Sequence, residues 1–290
     1  MALVSITKEE YVAARQALLA DNGQNILDLE KRTCEKLTEA LLSRALHIAR
    51  DFNHAVPLQQ FWLKYAPRQR GHKPRGDSLP WGEVGEKTIE GHLYGSLGTV
   101  FPEVCFTGLP YGHDVRCTTD NAFLHIDVKS TGPNDNPNEV VCSPNQVTGD
   151  GIDLMDDGVH NSLVTVVGPS RNMDFQPELP PFYILEKRIR VCITFYIKVL
   201  YSVNALGDQP LNYIELICVP NGLLMFDGPC YARNIQGLLT PGKDIVTSVH
   251  KRTRIKLDPL AKAFPWRCQK ILVEGDSITI KPRFSSTSQT

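Results

Sequence analysis

The sequence lacks the close cysteine pairs that mark structural zinc sites and small disulfide-bonded domains. Its eight cysteines include no CxxC pair, although zinc ligands usually come from such pairs. A disulfide framework is expected in much shorter secreted chains. Several cysteines lie inside apolar runs, such as Val191-Cys192-Ile193 and Ile217-Cys218-Val219. We therefore expect reduced and mostly buried thiols.

Long apolar runs are also missing. The longest, from Ile189 to Val203, is interrupted by Arg190 and Lys198 and is too short to span a bilayer. The N-terminus becomes acidic before an apolar run of signal-peptide length develops. We therefore expect a soluble, cytoplasmic protein that has no membrane partner.

An excess of charge of either sign is absent as well. The formal net charge of −1 does not indicate a nucleic-acid partner, so any DNA binding must come from basic residues that are segregated locally. A hydrophobic content of 42% with 22% charged residues is ordinary for a globular protein and argues against wholesale disorder.

The pattern along the chain changes from helices to strands. Apolar residues at three- and four-residue spacing predict helices over about 8–20 and 25–51, and another helix begins near Trp81. The Pro-, Arg- and Gly-rich segment 65–77 between them predicts a loop. The segments after residue 100 that are rich in β-branched and aromatic residues predict strands: Val104–Thr107, Phe123–Lys129, Val140–Cys142, Leu163–Val167, Phe182–Leu185, Arg190–Val203 and Tyr213–Val219.

This order of elements predicts an α+β or mixed α/β fold, and no linker separates two autonomous domains. We expect one domain over 1–284, with a helical part over about 1–60 and a catalytic core over about 80–200. β-rich recognition elements are expected over about 210–270. The polar tail 285–290 is expected to be disordered.

An acidic centre stands out in the predicted strand that ends at Lys129. Asp127-Val128-Lys129 is the only acid–any–lysine triplet of the chain. Alternation along the strand places Asp127 and Lys129 on one face together with His125, and apolar residues on the other. The polar face is predicted to project into a cleft. The alternative interpretation is a surface ion pair on an edge strand.

A second acid, Asp114, follows a turn and precedes the same strand. This arrangement is typical of PD…(D/E)xK phosphodiester hydrolysis. Two carboxylates hold Mg²⁺, a hard cation that prefers oxygen ligands, and the ion polarises the phosphate and activates water. The lysine positions that water and offsets the charge that builds up in the transition state.

Two segments concentrate positive charge, at 64–75 and 243–270. If the second contains a strand, Arg252, Arg254 and Lys256 lie on one face. Arginines placed in this way can bind guanine O6 and N7, while lysines contact phosphates. The alternative for each segment is a solvated basic face.

Gly237–Asp244 nearly matches the P-loop pattern, but it ends in Asp244 where a P-loop has a metal-binding hydroxyl. Pro241 removes a backbone N–H from the phosphate cradle. We therefore expect no nucleotide cofactor, and we interpret Lys243 and Asp244 as part of a turn.

Several segments together resemble the BglI family of type II restriction endonucleases, in the EcoRV-like branch of the PD-(D/E)xK superfamily. They occur in the family's order over about 61–257: Phe61–Tyr65, Arg70–Gly71, Gly76–Asp77, Pro80–Lys87, Gly108–Asp114, Asp127–Asp135, Ser143–Val147, Pro180–Pro181, Val219–Leu223, Pro241–Asp244 and Lys251–Arg254.

The resemblance implies a restriction-endonuclease-like α/β core with a mixed sheet flanked by helices and additional β-rich recognition elements. It implies Mg²⁺-dependent cleavage of duplex DNA to 5′-phosphate ends by Asp114, Asp127 and Lys129. Asp114, Asp127 and the carbonyl of Val128 would bind the metal.

For DNA, the resemblance implies a homodimer that reads an interrupted palindrome with GCC/GGC half-sites, and a cognate methyltransferase in the same cell. The implied base contacts come from five residues: Asp135, Lys243, Asp244, Arg252 and Arg254. The segments between Asp114 and Asp127 and between Lys243 and Arg252 are shorter than the family pattern. The base-reading role of Asp244 therefore stays open.

Two other functions remain open at this stage. One is a DNA-binding protein whose catalysis has decayed, and the other is a structure-specific repair nuclease on the same core. Glu86, on the helix that begins near Trp81, is interpreted either as an acid associated with the metal site or as a solvated helix residue.

Overall fold

A computed structural model describes most of the chain: residues 6–52, 81–110, 112–132, 134–150, 164–202, 210–227, 237–242 and 252–284. The helices are α1 (Lys8–Leu19), α2 (Gln24–Leu42), α3 (45–52), α4 (Trp81–Val100) and α5 (Leu257–Ala263). The strands are β1 (Cys105–Phe106), β2 (Val115–Thr118), β3 (Ala122–Thr131), β4 (Glu139–Cys142), β5 (Val164–Val167), β6 (Asn172–Phe175), β7 (Phe182–Leu185), β8 (Arg188–Tyr201), β9 (Leu211–Val219), β10 (Leu239–Pro241), β11 (Thr253–Lys256), β12 (Cys268–Glu274) and β13 (Ser277–Pro282).

The N-terminal helices follow the apolar periodicity with one difference. A capping box between Thr7 and Glu10 starts α1, because each side chain satisfies a backbone N–H of the first turn. The single helix predicted over 25–51 is divided by a turn at Ser43 and Arg44. The N–H of Arg44 donates to Leu41 O at 3.1 Å, a tighter turn than that of an α-helix. The break does not disturb the buried face, which continues through Ile48, so periodicity alone could not show it.

The central sheet has eight strands in the order β1-β2-β3-β8-β9-β12-β13, and β7 pairs with the start of β8. β3 and β8 run parallel over ten residue pairs, from Ala122 opposite Val191 to Thr131 opposite Leu200. The neighbouring pairings are antiparallel. The sheet is therefore mixed, as the sequence predicted.

Helices α2 and α4 pack on this sheet and on each other, α4 against β3 and α2 against β9. Gly85 allows α4 to approach β3 closely, because a Cβ atom there would overlap Ser130 Oγ and lie 3.0 Å from Phe52 Cζ. The close approach brings the next residue of α4, Glu86, near the acidic strand.

A second, three-stranded sheet has the order β10-β11-β4, and β5 and β6 form a separate hairpin. β4 is joined to β3 by the segment 132–138, so one short connection links the central sheet to the smaller one. The stretch that resembles a P-loop contributes β10, which pairs with β11 through Leu239–Pro241. The division of the chain into numbered parts stays a prediction, and the central sheet includes β9 and β12 from beyond residue 210.

The cysteines of the described part behave as the sequence predicted. Seven are free thiols; Cys105 is exposed and the other six are buried. Within the same part of the chain, no helix is long and apolar enough to cross a membrane.

A buried ion pair ties α2 to the start of β12. The Glu30 carboxylate pairs with the Arg267 guanidinium, and both side chains are fully buried. Glu30 Oε1 also accepts from the N–H of Asn221 at 2.6 Å, and the guanidinium lies 4.3 Å from the Trp266 ring centroid. Such a pair is costly to break, because the remaining partner is left as an unpaired buried charge.

We expect Glu30→Ala to lower the free energy of unfolding by about 3–5 kcal/mol. Replacing both partners with apolar residues, as in Glu30→Leu/Arg267→Met, is expected to recover much of that loss, because no charge remains unpaired. Urea unfolding followed by circular dichroism measures both effects. A loss under about 1 kcal/mol in the single variant, within the range of exposed ion pairs, would contradict this interpretation.

Candidate active site

The acid–any–lysine triplet lies in the middle of the central sheet. β3 is flanked by β2 and β8, which excludes the alternative of an ion pair on an edge strand. Asp127 is only 4% exposed, so this part of the polar face is more deeply covered than the predicted projection into a cleft suggested. His125 is also fully buried, with its ring stacked 4.7 Å from that of Phe123.

Asp114 lies just before β2, beside the acidic strand. Its Oδ2 accepts from the backbone N–H of Val128 at 2.7 Å. In a β-strand the N–H and C=O of one residue point to the same edge. The carbonyl of Val128 therefore points to the edge of β3 that Asp114 occupies. Asp114 thus lies beside Val128 and the strand of Asp127, which are the groups that the resemblance implied for a metal site.

Lys129 completes the cluster. Its ammonium forms an ion pair with Asp127 Oδ2, and its side chain is 30% exposed. The Nζ atom lies 5.8 Å from the ring centroid of the buried Tyr196. The lysine is therefore held on one side by the carboxylate and remains accessible from solvent.

Gln146 is a residue of the site that the sequence reasoning missed. Its Nε2 donates to Asp127 Oδ1 and to Gly112 O, both at 2.6 Å. Its Oε1 accepts from the N–H of Ser143 at 3.1 Å, which closes the turn of the short helix Pro144–Gln146. One amide thus connects the acid of β3 to the segment that carries Asp114. The motif Ser143–Val147 was noted in the sequence, but no periodicity indicated a contact with Asp127.

Gly112 is required where Gln146 binds its carbonyl. Its φ of +115° is unfavourable for other residues. A Cβ atom there would lie 2.6 Å from Asn145 O, too close for any side chain. The segment that carries Asp114 therefore packs directly against the short helix that carries Gln146.

Burial raises the pKa of Asp127 to about 7, from an ordinary value of 3.8. The ammonium of Lys129 lowers this pKa, and the carboxylates of Asp114 and Glu86 raise it further. A rise of this size corresponds to about 4 kcal/mol that disfavour the ionised carboxylate in the metal-free protein. The ionised form of Asp127 is therefore unfavourable in the metal-free protein, and a bound cation would stabilise it.

Glu86 is half-buried on α4, and its charge reaches Asp127 across the contact at Gly85. The adjacent Lys87 donates to Glu90 Oε2 at 2.6 Å, and this hydrogen bond, together with the charge of Asp114, raises the pKa of Lys87. The structure thus places Glu86 near the site but does not assign it a role.

Two histidines beside the site carry no charge at neutral pH. Burial and the neighbouring His125 lower the pKa of His113 well below its usual value. Burial likewise lowers the pKa of His125 to about 3. The two rings lie 5.0 Å apart. They therefore add polar surface but no positive charge to compete with a bound cation.

The donors at the site fit a hard divalent cation. Asp114 and Asp127 offer carboxylate oxygens and Val128 offers a carbonyl oxygen, and Mg²⁺ completes such a partial set with water and substrate phosphate. Among the described residues, no three His, Cys, Asp or Glu side chains form a closed metal cage. An open, oxygen-only set is what a catalytic Mg²⁺ site needs, unlike a structural zinc site.

The small sheet carries the basic face that the sequence predicted. Along β11, Thr253 and Ile255 are buried while Arg254 and Lys256 are half-exposed, and Arg252 is exposed just before the strand. Asp135 is exposed in the segment between β3 and β4, where its Oδ2 accepts from the N–H of Gly132 at 2.9 Å. Lys243 and Asp244 lie outside the described residues.

A groove runs between the β5–β6 hairpin and the small sheet. Arg254 and Lys256 line one side, and Arg171 lies on the other. The hairpin is fixed to β10, because Arg171 Nη2 donates to Gly242 O at 2.5 Å and Gly168 packs directly on Pro241. The groove is thus bordered by basic side chains from two separate elements.

A mixed sheet that carries an acid and a lysine on its central strand, with a second acid bound to the backbone of that strand, is joined here to a small basic sheet. This combination defines the restriction-endonuclease class of fold. The family description "Restriction endonuclease BglI" matches residues 6–271. The chain belongs to the BglI family of restriction endonucleases. This confirms the class predicted from the sequence, a type II site-specific deoxyribonuclease.

Known relatives support this assignment. The type II restriction enzyme BglI of Bacillus subtilis is 35% identical over 272 residues, covering 85% of this chain and 91% of that protein. The solved structure of BglI bound to its DNA recognition sequence superimposes with a TM-score of 0.78 at 33% identity, covering 90% of this chain and 95% of that one. Tetrameric SfiI bound to cognate DNA has a TM-score of 0.61 at 14% identity, with 88% and 87% covered, and it shows the fold alone.

The carboxyl of Asp127 is expected to titrate with a midpoint near pH 7 in the metal-free protein. Lys129→Met should raise the midpoint, because it removes a positive charge that lowers the pKa of Asp127. Asp114→Asn should lower the midpoint, because it removes a negative charge that raises this pKa. Carbon-13 NMR of labelled aspartate carboxyls, assigned with Asp127→Asn, measures this. A midpoint near 4 would contradict the burial argument. Because folding raises this pKa, the contribution of Asp127 to stability is fully present below the ordinary value of 3.8 and is lost as the pH rises from there through about 7.

Replacing Gln146 with leucine should destabilise the protein by about 1–3 kcal/mol, because two buried acceptors lose their donor. The loss should be larger at pH 8.5 than at pH 5, since Asp127 is ionised only at the higher pH. Urea unfolding at both pH values measures it. Gln269→Leu, which removes a glutamine that donates to Pro265 O near the surface, is the matched control. A loss that is equal at both pH values would mean that Gln146 does not act on Asp127.

Proposed function

We propose that this protein hydrolyses phosphodiester bonds in double-stranded DNA at a specific interrupted palindrome, through Asp114, Asp127 and Lys129. The observation that carries the proposal is the convergence of these side chains around β3. Asp114 binds the backbone of Val128, and Asp127 pairs with Lys129 in the same strand. Membership of a family of DNA-cleaving enzymes supports the proposal.

Restriction endonucleases generally use divalent metal ions, and we infer that Mg²⁺ serves here. Asp114, Asp127 and the carbonyl of Val128 would hold it. When bound, it would polarise the scissile phosphate and lower the pKa of an attacking water. The raised pKa of Asp127 supports this inference, because two neighbouring carboxylates stay ionised more readily when a cation lies between them.

The remaining chemistry belongs to the side chains. If a bound cation took the place of Lys129 beside Asp127, the Lys129 ammonium would be free to hold the attacking water and to offset the charge on the phosphate. Gln146 donates to Asp127 Oδ1 and so keeps the carboxylate in one orientation during this exchange. The water forms a bond to phosphorus and loses a proton to solvent, while the P–O3′ bond breaks and the 3′-oxygen takes a proton from solvent. The products are a 5′-phosphate end and a 3′-hydroxyl end.

For recognition, we propose that the exposed face of β11 enters a groove of DNA. Arg252 and Arg254 would donate to guanine, and Asp135 would accept from cytosine N4, which suits GCC/GGC half-sites. Lys243 and Asp244 would add contacts. Reading a palindrome in this way requires a homodimer, with one half-site for each subunit. A cognate methyltransferase would protect the same site in the cell.

Two alternative functions would give different results when the protein is incubated with plasmid DNA. A DNA-binding protein with decayed catalysis would retain DNA without cutting it, although the three catalytic positions are filled by suitable residues. A structure-specific repair nuclease would cut without a sequence preference.

The test is digestion of a sequenced plasmid in Mg²⁺ with the ends mapped. We expect discrete cuts at one interrupted G·C palindrome, and a loss of at least about 100-fold in cleavage rate in Lys129→Ala, in line with removal of one charge-stabilising group. Lys281→Ala, which removes an exposed lysine of β13, is the control and should cut normally. Random nicking, or binding without cutting, would refute the proposal.

A further inference from the structure

Glu139 lies at the centre of the basic face of the small sheet. It is the first residue of β4 and is paired directly with Lys256 of β11, while Arg254 pairs with Val141. Because side chains two residues apart in a strand point to the same face, Arg254 and Lys256 both lie beside Glu139. An acid in this position is unexpected on a surface proposed to meet DNA phosphates, because it repels them.

Both oxygens of this carboxylate are occupied by cations. Oε1 accepts from Arg254 Nη1 and Oε2 from Lys256 Nζ. The carboxylate side chain is 7% exposed, whereas those of Arg254 and Lys256 are 18% and 32% exposed. The acid is thus buried beneath two cations that reach towards solvent and line the groove.

The backbone of Glu139 is fixed as firmly as its side chain. Its carbonyl accepts from the buried Lys198 Nζ at 2.8 Å, and so does the carbonyl of Pro137. Arg283 Nη2 donates to the same Pro137 carbonyl at 3.0 Å. Lys198 lies opposite Lys129 in the parallel pairing of β8 with β3. Glu139 is therefore anchored to the strand that neighbours the catalytic strand.

A carboxylate held in this way restricts the two cations. Lysine and arginine side chains each lose up to about 2 kcal/mol of rotamer entropy when they are ordered. A contact that already orders these side chains in the free protein reduces the entropy cost that DNA binding must offset. Glu139 occupies one of the five N–H donors of Arg254, so the rest of the guanidinium can still bind an acceptor.

We propose that Glu139 is a positioning residue for base recognition, which holds Arg254 and Lys256 in the orientation that contacts DNA. This inference rests on the proposed function, since it requires the β11 face to read bases. The Glu139 carboxylate then has two effects. It weakens binding to any DNA by repelling phosphates, and it strengthens binding to the correct site by ordering Arg254 and Lys256.

The test measures both effects with Glu139→Gln, which keeps the shape and removes the charge. Fluorescence anisotropy in Ca²⁺ gives the affinity for the cognate duplex and for an unrelated duplex of equal length. We expect the cognate affinity to fall, the unrelated affinity to rise, and their ratio to fall at least about tenfold, the discrimination of one good arginine–base contact. Glu274→Gln, which changes an exposed acid at the end of β12, makes the same charge change and should leave the ratio unaltered.

The result that supports the inference is a fall in the affinity for the cognate duplex together with a rise in the affinity for the unrelated duplex. If both fall together, Glu139 has only a structural role, and if both rise equally, it acts only through net charge; either result overturns the inference. If Glu139→Gln does not fold, as judged by circular dichroism, Glu139→Asp is used instead. It keeps the charge but withdraws the carboxylate from both cations, and the ratio should fall in the same way.

The variant Arg254→Ala distinguishes a failure of this inference from a failure of the proposed function. A loss of cognate affinity in Arg254→Ala with an unchanged ratio in Glu139→Gln refutes only the role of Glu139. Unchanged cognate affinity in Arg254→Ala refutes the proposed reading of bases by β11. The cognate duplex can be found by selecting bound duplexes from a random pool, so a failure of cleavage does not prevent the test.

Discussion

The parallel pairing of β3 with β8 is the interaction on which the site depends. Ten consecutive residue pairs place β3 inside the sheet, so that Asp127 and Lys129 occupy a rigid central strand rather than a loop. β2 then brings Asp114 to the backbone of Val128. On the opposite side, Lys198 of β8 donates to the carbonyls of Asn136, Pro137 and Glu139. One strand pair thus supports both the acidic centre and the connection to the small basic sheet.

The burial that orders the site also makes ionisation of Asp127 unfavourable in the metal-free protein. Asp127 is almost inaccessible and lies near two other carboxylates, and its pKa rises to about 7. Lys129 offsets only part of this cost. Near neutral pH the ionised carboxylates destabilise the metal-free fold. A divalent cation would offset their repulsion, and the same carboxylates would then hold the ion. On the proposed function, stability and activity are therefore coupled through Asp127.

Local patterns in the sequence predicted the elements that carry the chemistry, and they failed where distant segments meet. The acid–any–lysine triplet and the alternation of the Phe123–Lys129 segment were sufficient to place Asp127 and Lys129 in a strand. Gln146 and Glu139 could not be recognised, because their roles arise from contacts with residues 19 and more than 100 positions away. β2 is too short, at four residues, to show a clear alternation, and the turn at Ser43 leaves the apolar spacing intact. The catalytic, metal-binding and base-reading roles remain predictions, and Lys243 and Asp244 lie outside the described residues.

The central claim is that Asp114 and Asp127 jointly hold a divalent cation at a scissile phosphate. Crystals of the protein bound to its DNA site, soaked with Mn²⁺ and examined by anomalous diffraction, test it most directly. We expect a peak between the two carboxylates, within bonding distance of the Val128 carbonyl oxygen and of a phosphate oxygen, and no peak there in Asp127→Asn. A peak that lies elsewhere, or one that persists in the variant, would contradict it.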